Sequence, residues 1–192
     1  MMGNDVVDLG DPESRAEARH PRFDRRVFDE TERALIGASA QPERTRWLLW
    51  AAKESAYKAA RKEDPHTVFA PSCFVVRPEG DARVSVAVGE RRFQVDLGAG
   101  ADHVHAVAWA EGDSPDAICT AIAKLPELST GSDAARWLAI ATLSRLLGVA
   151  PEELALRRDG RIPSLWLRDR RSSADLSLSH HGRFVAFACT LP

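Results

Sequence analysis

The sequence predicts a mixed α+β fold with antiparallel sheets, and three observations carry that expectation. A long segment of 3.6-residue period, PERTRWLLWAAKESAYKAARKED, is closed by Pro65. After it the period changes to two in CFVVRP, RVSVAV, RRFQVDL and HVHAVAWA. These short β-branched or aromatic runs are separated by PEGD, GE and GAGAD, the turn chemistry of a meander. A second helical segment, AARWLAIATLSRLL, leads into alternating residues that end the chain. The order strand, helices, strands, then helix, strand, strand states one idea twice, the second time shorter, with no residue-level repeat.

Taken in order, GNDVVDL is bounded by Gly3 and Gly10 and suits a short strand on which Asp5 and Val6 face opposite ways. DPESRAEAR starts like a helix, with Asp11 as cap and Pro12 as first helical residue, and Pro21 stops or bends it. Asp29, with Glu32 three residues on, repeats the cap signature. The long helix runs from about Pro42 to Asp64. Residues 111 to 132 hold a strand or short helix and then a Pro/Ser/Thr/Gly stretch. They form the best internal boundary and divide the chain into 1–112 and 113–192. A second helix begins after Ser132 and ends at Gly148, a natural C′ residue. Asp159 and Gly160 make a turn, and Gly182 turns the last two strands.

A chain of 192 residues is long enough for one substantial core or for two small halves that share one. With 26 Lys and Arg against 28 Asp and Glu, the net charge of -2 gives no global pull toward nucleic acid or anionic membrane. Phosphate recognition must then be local. Cys73, Cys119 and Cys189 are odd in number and lack CxxC spacing, so neither a disulfide framework nor a cysteine zinc site is expected, and a reducing cytoplasm fits. The stretch MMGNDVVDLGDPES has no long apolar run and reads as neither signal peptide nor membrane anchor.

On the long helix Trp47, Trp50, Glu54, Tyr57, Lys58 and Arg61 share one side. A glutamate beside two tryptophans is partly shielded and needs a partner for its charge. One reading pairs it with Lys58 one turn on, a surface contact worth a few tenths of a kcal/mol. The other joins Glu54 to Asp5 as two oxygen ligands of a Mg²⁺ ion, with Lys58 reaching a phosphate bound there. SLSHHGRF brings a hydroxyl, imidazoles and a guanidinium to a strand turn, which suits either a phosphate or ribose edge or a plain polar hairpin. His103 and His105 lie two apart on one strand face without a third ligand in view. Arg15, Arg19, Arg22 and Arg26, like Arg157, Arg158 and Arg161, read as solvated faces or as phosphate anchors. There is no P-loop, no GxGxxG after a strand and no GxSxG elbow.

Read together, Gly3-Asn4-Asp5-Val6-Val7, Trp50-Ala51-Ala52-Lys53-Glu54-Ser55-Ala56-Tyr57-Lys58 and Ser179-His180-His181-Gly182-Arg183-Phe184 resemble the motifs of the 4′-phosphopantetheinyl transferase superfamily. These are a GxD strand, a W-x-x-K-E-[SA]-x-x-K helix and an S-H-S-G-R-W turn. RRVFDETE, LSRLLGVAPEELAL and DGRIP are similar to further family segments. The resemblance implies two similar α/β halves, antiparallel sheets packed with helices, forming a pseudo-twofold transferase fold. In the surfactin-type enzymes the S-H-S-G half comes first; here the GxD half does. That order fits a permuted two-half enzyme or the shorter, trimeric holo-acyl-carrier-protein-synthase type, and the extra helix and DGRIP favour a monomer with two halves.

The function implied is Mg²⁺-dependent transfer of phosphopantetheine from coenzyme A to a serine of an apo acyl or peptidyl carrier protein, releasing adenosine 3′,5′-bisphosphate. By the resemblance, Asp5 and Glu54 hold the metal, and Glu54 and Lys58 are catalytic. Lys53, Lys58, Arg161, Ser179, His180, Arg26 and Arg136 bind coenzyme A, with Ser179 and His180 at its 3′-phosphate end and Trp50 packing beside the site. The surfactin type carries a third acid where this chain has Val7, and Asp8 echoes the acid of the shorter type but points elsewhere on the strand. The alternative of another class is a non-catalytic protein of the same fold that binds coenzyme A or a carrier protein.

Overall fold

A computed structural model describes residues 1–113, 118–125, 130–160 and 162–191. Strand β1 (Met2–Asp8) is followed by 3₁₀ turns at Pro12–Ser14 and Ala16–Ala18 and by helices α1 (Phe23–Val27), α2 (Glu30–Ala38) and α3 (Pro42–Glu63). Strands β2 (Val75–Pro78), β3 (Arg83–Val88), β4 (Arg91–Ala99) and β5 (His103–Ala110) complete an antiparallel sheet of order β1-β5-β4-β3-β2. The second half has β6 (Ile118–Lys124), helix α4 (Gly131–Leu147), β7 (Leu154–Asp159), β8 (Ile162–Leu167), β9 (Arg170–His181) and β10 (Phe184–Thr190), in the order β6-β10-β9-β8-β7. Each half therefore runs strand, helix, four-strand meander, with the last strand returning beside the first. The fold is α+β, built of two similar halves.

Local chemistry explains the boundaries. Asp29 and Glu32 form a reciprocal capping box at the start of α2. α3 opens on Pro42, whose missing N–H costs nothing there, and stops before Asp64. Thr130 caps α4 by accepting from the N–H of Asp133, and Gly148 takes the left-handed conformation at its end, φ 65°. The helix thus starts two residues earlier than the sequence suggests. DPESRAEAR forms two 3₁₀ turns, not an α-helix: Asp11 spends its carboxylate on the N–H of Glu13, and the chain is extended again by Arg15.

The core of the first half lies between α3 and its sheet. Ala51, Ala52, Ala56, Ala59 and Ala60 are fully buried and pack with Phe74, Val86, Phe93 and Val95. Small residues let the helix backbone descend onto β1: a β-carbon on Gly3 would lie 2.1 Å from the carbonyl oxygen of Ser55. The glycine of GND is therefore a packing requirement that brings α3 within reach of Asp5. In the second half Leu143, Leu165, Leu176 and Phe187 form the corresponding core. Cys119 and Cys189, distant in sequence, are register partners across β6 and β10, both free thiols. No helix among the described residues is long and apolar enough to cross a membrane.

The halves meet along β1. Its outward N–H groups, every second residue, donate to side chains of β9: Met2 to Asp175, Asn4 to Ser177, Val6 to Ser179 and Asp8 to His181, each pair 173 residues apart. Side chains here do what a neighbouring strand would otherwise do for an exposed edge.

Candidate active site

Asp5 projects from β1 toward α3, and helical spacing brings Glu54 and Lys58 to it. Lys58 Nζ lies 2.8 Å from Asp5 Oδ1, 2.9 Å from the Asn4 carbonyl and 3.9 Å from Glu54 Oε2. Ser179, from the other half, donates its hydroxyl to Asp5 Oδ1 at 2.9 Å. Asp5 is buried, and only about a quarter of the Glu54 side chain is exposed, 26%. Burial first, and then the charge of Asp5, push the Glu54 carboxyl up to about 7, against the opposing pull of Lys58. Two carboxylates share one shielded space with a single ammonium between them. That donor set fits a divalent cation with hard oxygen preference.

Two cavities open from this point. One, about 280 Å³, is lined by Tyr57, Lys58, Arg61 and Lys62 of α3, Ser132 and Ala135 of α4, and Arg158, Ser177 and His180. Among the described residues Arg61 and Arg158 have no carboxylate partner: Arg61 donates to the Tyr57 hydroxyl and Arg158 to Ser132 Oγ. The first turn of α4, with Ser132 and Ala135 in the lining, adds the positive end of its dipole. The other cavity, about 520 Å³, holds Asp5, Val7, Glu13, Glu54 and the rings of Phe23, Trp47 and Trp50. Trp50 lies between Phe23 and Phe69, with ring centroids 5.6 Å from each, which fixes that wall. Lys58, Leu178 and His180 line both cavities and mark their junction.

The remaining predicted site residues divide. His180 is exposed at the junction, its ring against the start of α4; a β-carbon on Gly131 would lie 2.7 Å from it. Ser179 is buried behind Asp5. Lys53 departs from the expectation that it binds coenzyme A. It is wholly buried on the far side of α3, paired with Glu32 Oε1 at 2.8 Å and donating to the carbonyls of Pro71 and Phe74. Burial lowers its pKa, partly offset by Glu32. Adjacent helix positions diverge by about 100°, so a lysine next to Glu54 must leave its side of the helix. Arg136 donates to the Leu156 carbonyl, and Arg26 is exposed on α1; neither lines the cavities. Arg161 lies outside the described residues. Asp8 faces away from Asp5, held well below the usual carboxylate range by Arg183, which binds both its oxygens. His103 packs on Phe184 and His105 on Asn4, so this pair does not form a shared metal face.

Sequence reasoning left Lys62, Ser132 and Glu13 unassigned. Arg61 and Lys62 follow Lys58 at helical spacing, which was a usable signal. Ser132 and Glu13 come from turns and caps whose place in a cavity depends on tertiary packing.

No curated protein matches the chain. Among solved structures, holo-[acyl-carrier-protein] synthase of Thermotoga maritima is similar at 14% identity and TM-score 0.44, covering 88% of this chain and 83% of that one. The family model described as the 4′-phosphopantetheinyl transferase superfamily matches residues 1–109, the half that carries Asp5, Glu54 and Lys58. The chain belongs to the 4′-phosphopantetheinyl transferase superfamily.

Proposed function

We propose that this protein transfers 4′-phosphopantetheine from coenzyme A to a serine hydroxyl of an apo carrier protein and releases adenosine 3′,5′-bisphosphate. The observation that carries the reading is the position of Lys58. It stands between two carboxylates and at the junction of a basic cavity with an aromatic-walled, acidic one. The basic cavity suits the nucleotide end: Arg61 and Arg158 have guanidinium groups to offer phosphate, and His180 stands beside the first turn of α4. The second cavity suits the incoming serine.

Asp5 and Glu54 would hold Mg²⁺, which when bound supplies positive charge against the pyrophosphate. Lys58 neutralises charge on the transferring phosphoryl oxygens and holds them in line between the two cavities. The serine oxygen bonds to the phosphorus that carries pantetheine, the bond from that phosphorus to the bridging oxygen of the nucleotide breaks, and the serine proton passes to Glu54. Both halves contribute to the site within one chain, so a monomer suffices.

The test is chromatographic detection of adenosine 3′,5′-bisphosphate from coenzyme A. Release is expected only with Mg²⁺ and an apo carrier present. Release without carrier would indicate a general nucleotide enzyme. Coenzyme A binding without release on any carrier would indicate a non-catalytic accessory protein, with Val7 the first residue to revert to an acid.

A further inference from the structure

We infer that Ser179 is a positioning residue for Asp5, acting across the seam between the halves, and not a nucleotide contact. The inference rests on the metal-site reading above. A serine hydroxyl has one hydrogen and two lone pairs. The hydrogen of Ser179 goes to Asp5 Oδ1 at 2.9 Å, and one lone pair takes the N–H of Val6 at 3.0 Å. The residue is 4% exposed. No hydrogen is left for a phosphate.

The rest of the seam supplies the contrast. Ser177 takes the N–H of Asn4 at 2.9 Å in the same way, yet among the described residues its hydroxyl reaches no carboxylate. Only at Ser179 does the row of side chains extend by a hydroxyl donation into the site. Both described hydrogen bonds to the Asp5 carboxylate, from Lys58 and Ser179, fall on Oδ1. Oδ2 has no protein donor among the described residues and is the oxygen left for a cation. Ser179 thus fixes which way the carboxylate turns, and it ties that choice to the docking of the second half. Such outer partners of a ligating carboxylate commonly change metal affinity by about 10- to 100-fold when removed.

The probes are Mn²⁺, followed by electron paramagnetic resonance, and adenosine 3′,5′-bisphosphate, followed by calorimetry in chelator. Ser179→Ala is expected to weaken Mn²⁺ binding by about tenfold or more and to leave nucleotide affinity unchanged, with Ser179→Thr restoring the metal. Ser177→Ala, which removes the neighbouring bond to β1, is expected to lower Tm similarly while keeping Mn²⁺ affinity. Should Ser179→Ala fail to fold, Ser179→Cys, whose thiol donates weakly, takes its place with the same expected result. Unchanged Mn²⁺ affinity with a loss of nucleotide affinity would overturn the assignment, as would equal loss of both, which marks a merely structural serine. Absence of Mn²⁺ binding by the wild-type protein would overturn the metal reading itself and the role of Ser179 with it.

Discussion

The ammonium of Lys58 lies 2.8 Å from the carboxylate of Asp5, although the two residues belong to a helix and a strand separated by 53 positions. Gly3 makes this distance attainable by letting α3 rest on the β1 backbone. The pair sets one acid, and Glu54 a second, in a space that favours only one negative charge.

Removing either acid separates function from stability. Asp5→Ala and Glu54→Ala are expected to reduce transfer by at least about 10³-fold, on the scale of lost electrostatic stabilisation at a phosphoryl centre, with far-ultraviolet circular dichroism unchanged. Glu54→Gln is expected to raise Tm in metal-free buffer at pH 8, because it removes a carboxylate whose ionised form the site disfavours. A lower Tm would show that Glu54 stabilises the fold.

Lys53 should behave as a core residue. Lys53→Ala leaves Glu32 buried and unpaired, a loss of about 3–5 kcal/mol, visible as a lower denaturant midpoint. The double variant Lys53→Met, Glu32→Gln should recover much of that. The KM for coenzyme A of the folded protein should stay at the wild-type value; a rise of tenfold would return Lys53 to the binding site.

The basic cavity makes a graded expectation. Arg61→Ala and Arg158→Ala should each raise the KM for coenzyme A by about tenfold, the scale of one charge-assisted hydrogen bond, with smaller effects on kcat. The loss should be smaller with a coenzyme A analogue lacking the 3′-phosphate. Equal losses for both substrates would move these arginines away from the nucleotide end.

Acid should destabilise the fold through two groups outside the metal site. Burial pushes the His105 imidazole from 6.5 down to about 4, opposed by Asp5 and aided by His103 and Lys58. Between these values the unfolded chain binds the extra proton, so stability is full above pH 6.5 and falls as pH drops toward 4. Asp8, depressed by Arg183, adds a loss at lower pH, beginning near its unfolded value of 3.8. In the wild type the protonation of Glu54, whose carboxyl is pushed up to about 7, opposes this loss over the same range. Tm measured from pH 7 to 4 should therefore fall in Glu54→Gln and flatten when His105→Gln is added. A flat profile in Glu54→Gln alone would mean that His105 is solvated.

Much of the fold is legible in the sequence because its signals are local. The bounds of α3 follow from Pro42 and Pro65, α2 from the Asp29 and Glu32 box, and β2 to β5 from alternation and turn residues. The second half is harder. The order written from sequence has two strands after α4, whereas the structure has β7 to β10 there. The β8–β9 turn places Arg168 and Asp169 at φ 48° and 61° without a glycine, so the usual hairpin mark is missing. Asp5, Glu54 and Lys58 were legible through strand and helix periodicity together with family resemblance. The burial of Lys53 against Glu32 was not legible, because a motif match carries no information about which side of the helix is buried. The bonds from β1 to β9 join residues 173 apart through side chains, for which no local pattern exists.

The most direct measurement is intact-mass spectrometry of a panel of apo carrier proteins incubated with this protein, coenzyme A and Mg²⁺, beside a chelator control and the Asp5→Ala variant. The account expects at least one carrier to gain the mass of a single phosphopantetheine, with no gain in chelator or with the variant. No gain on any carrier, while coenzyme A still binds, would contradict it.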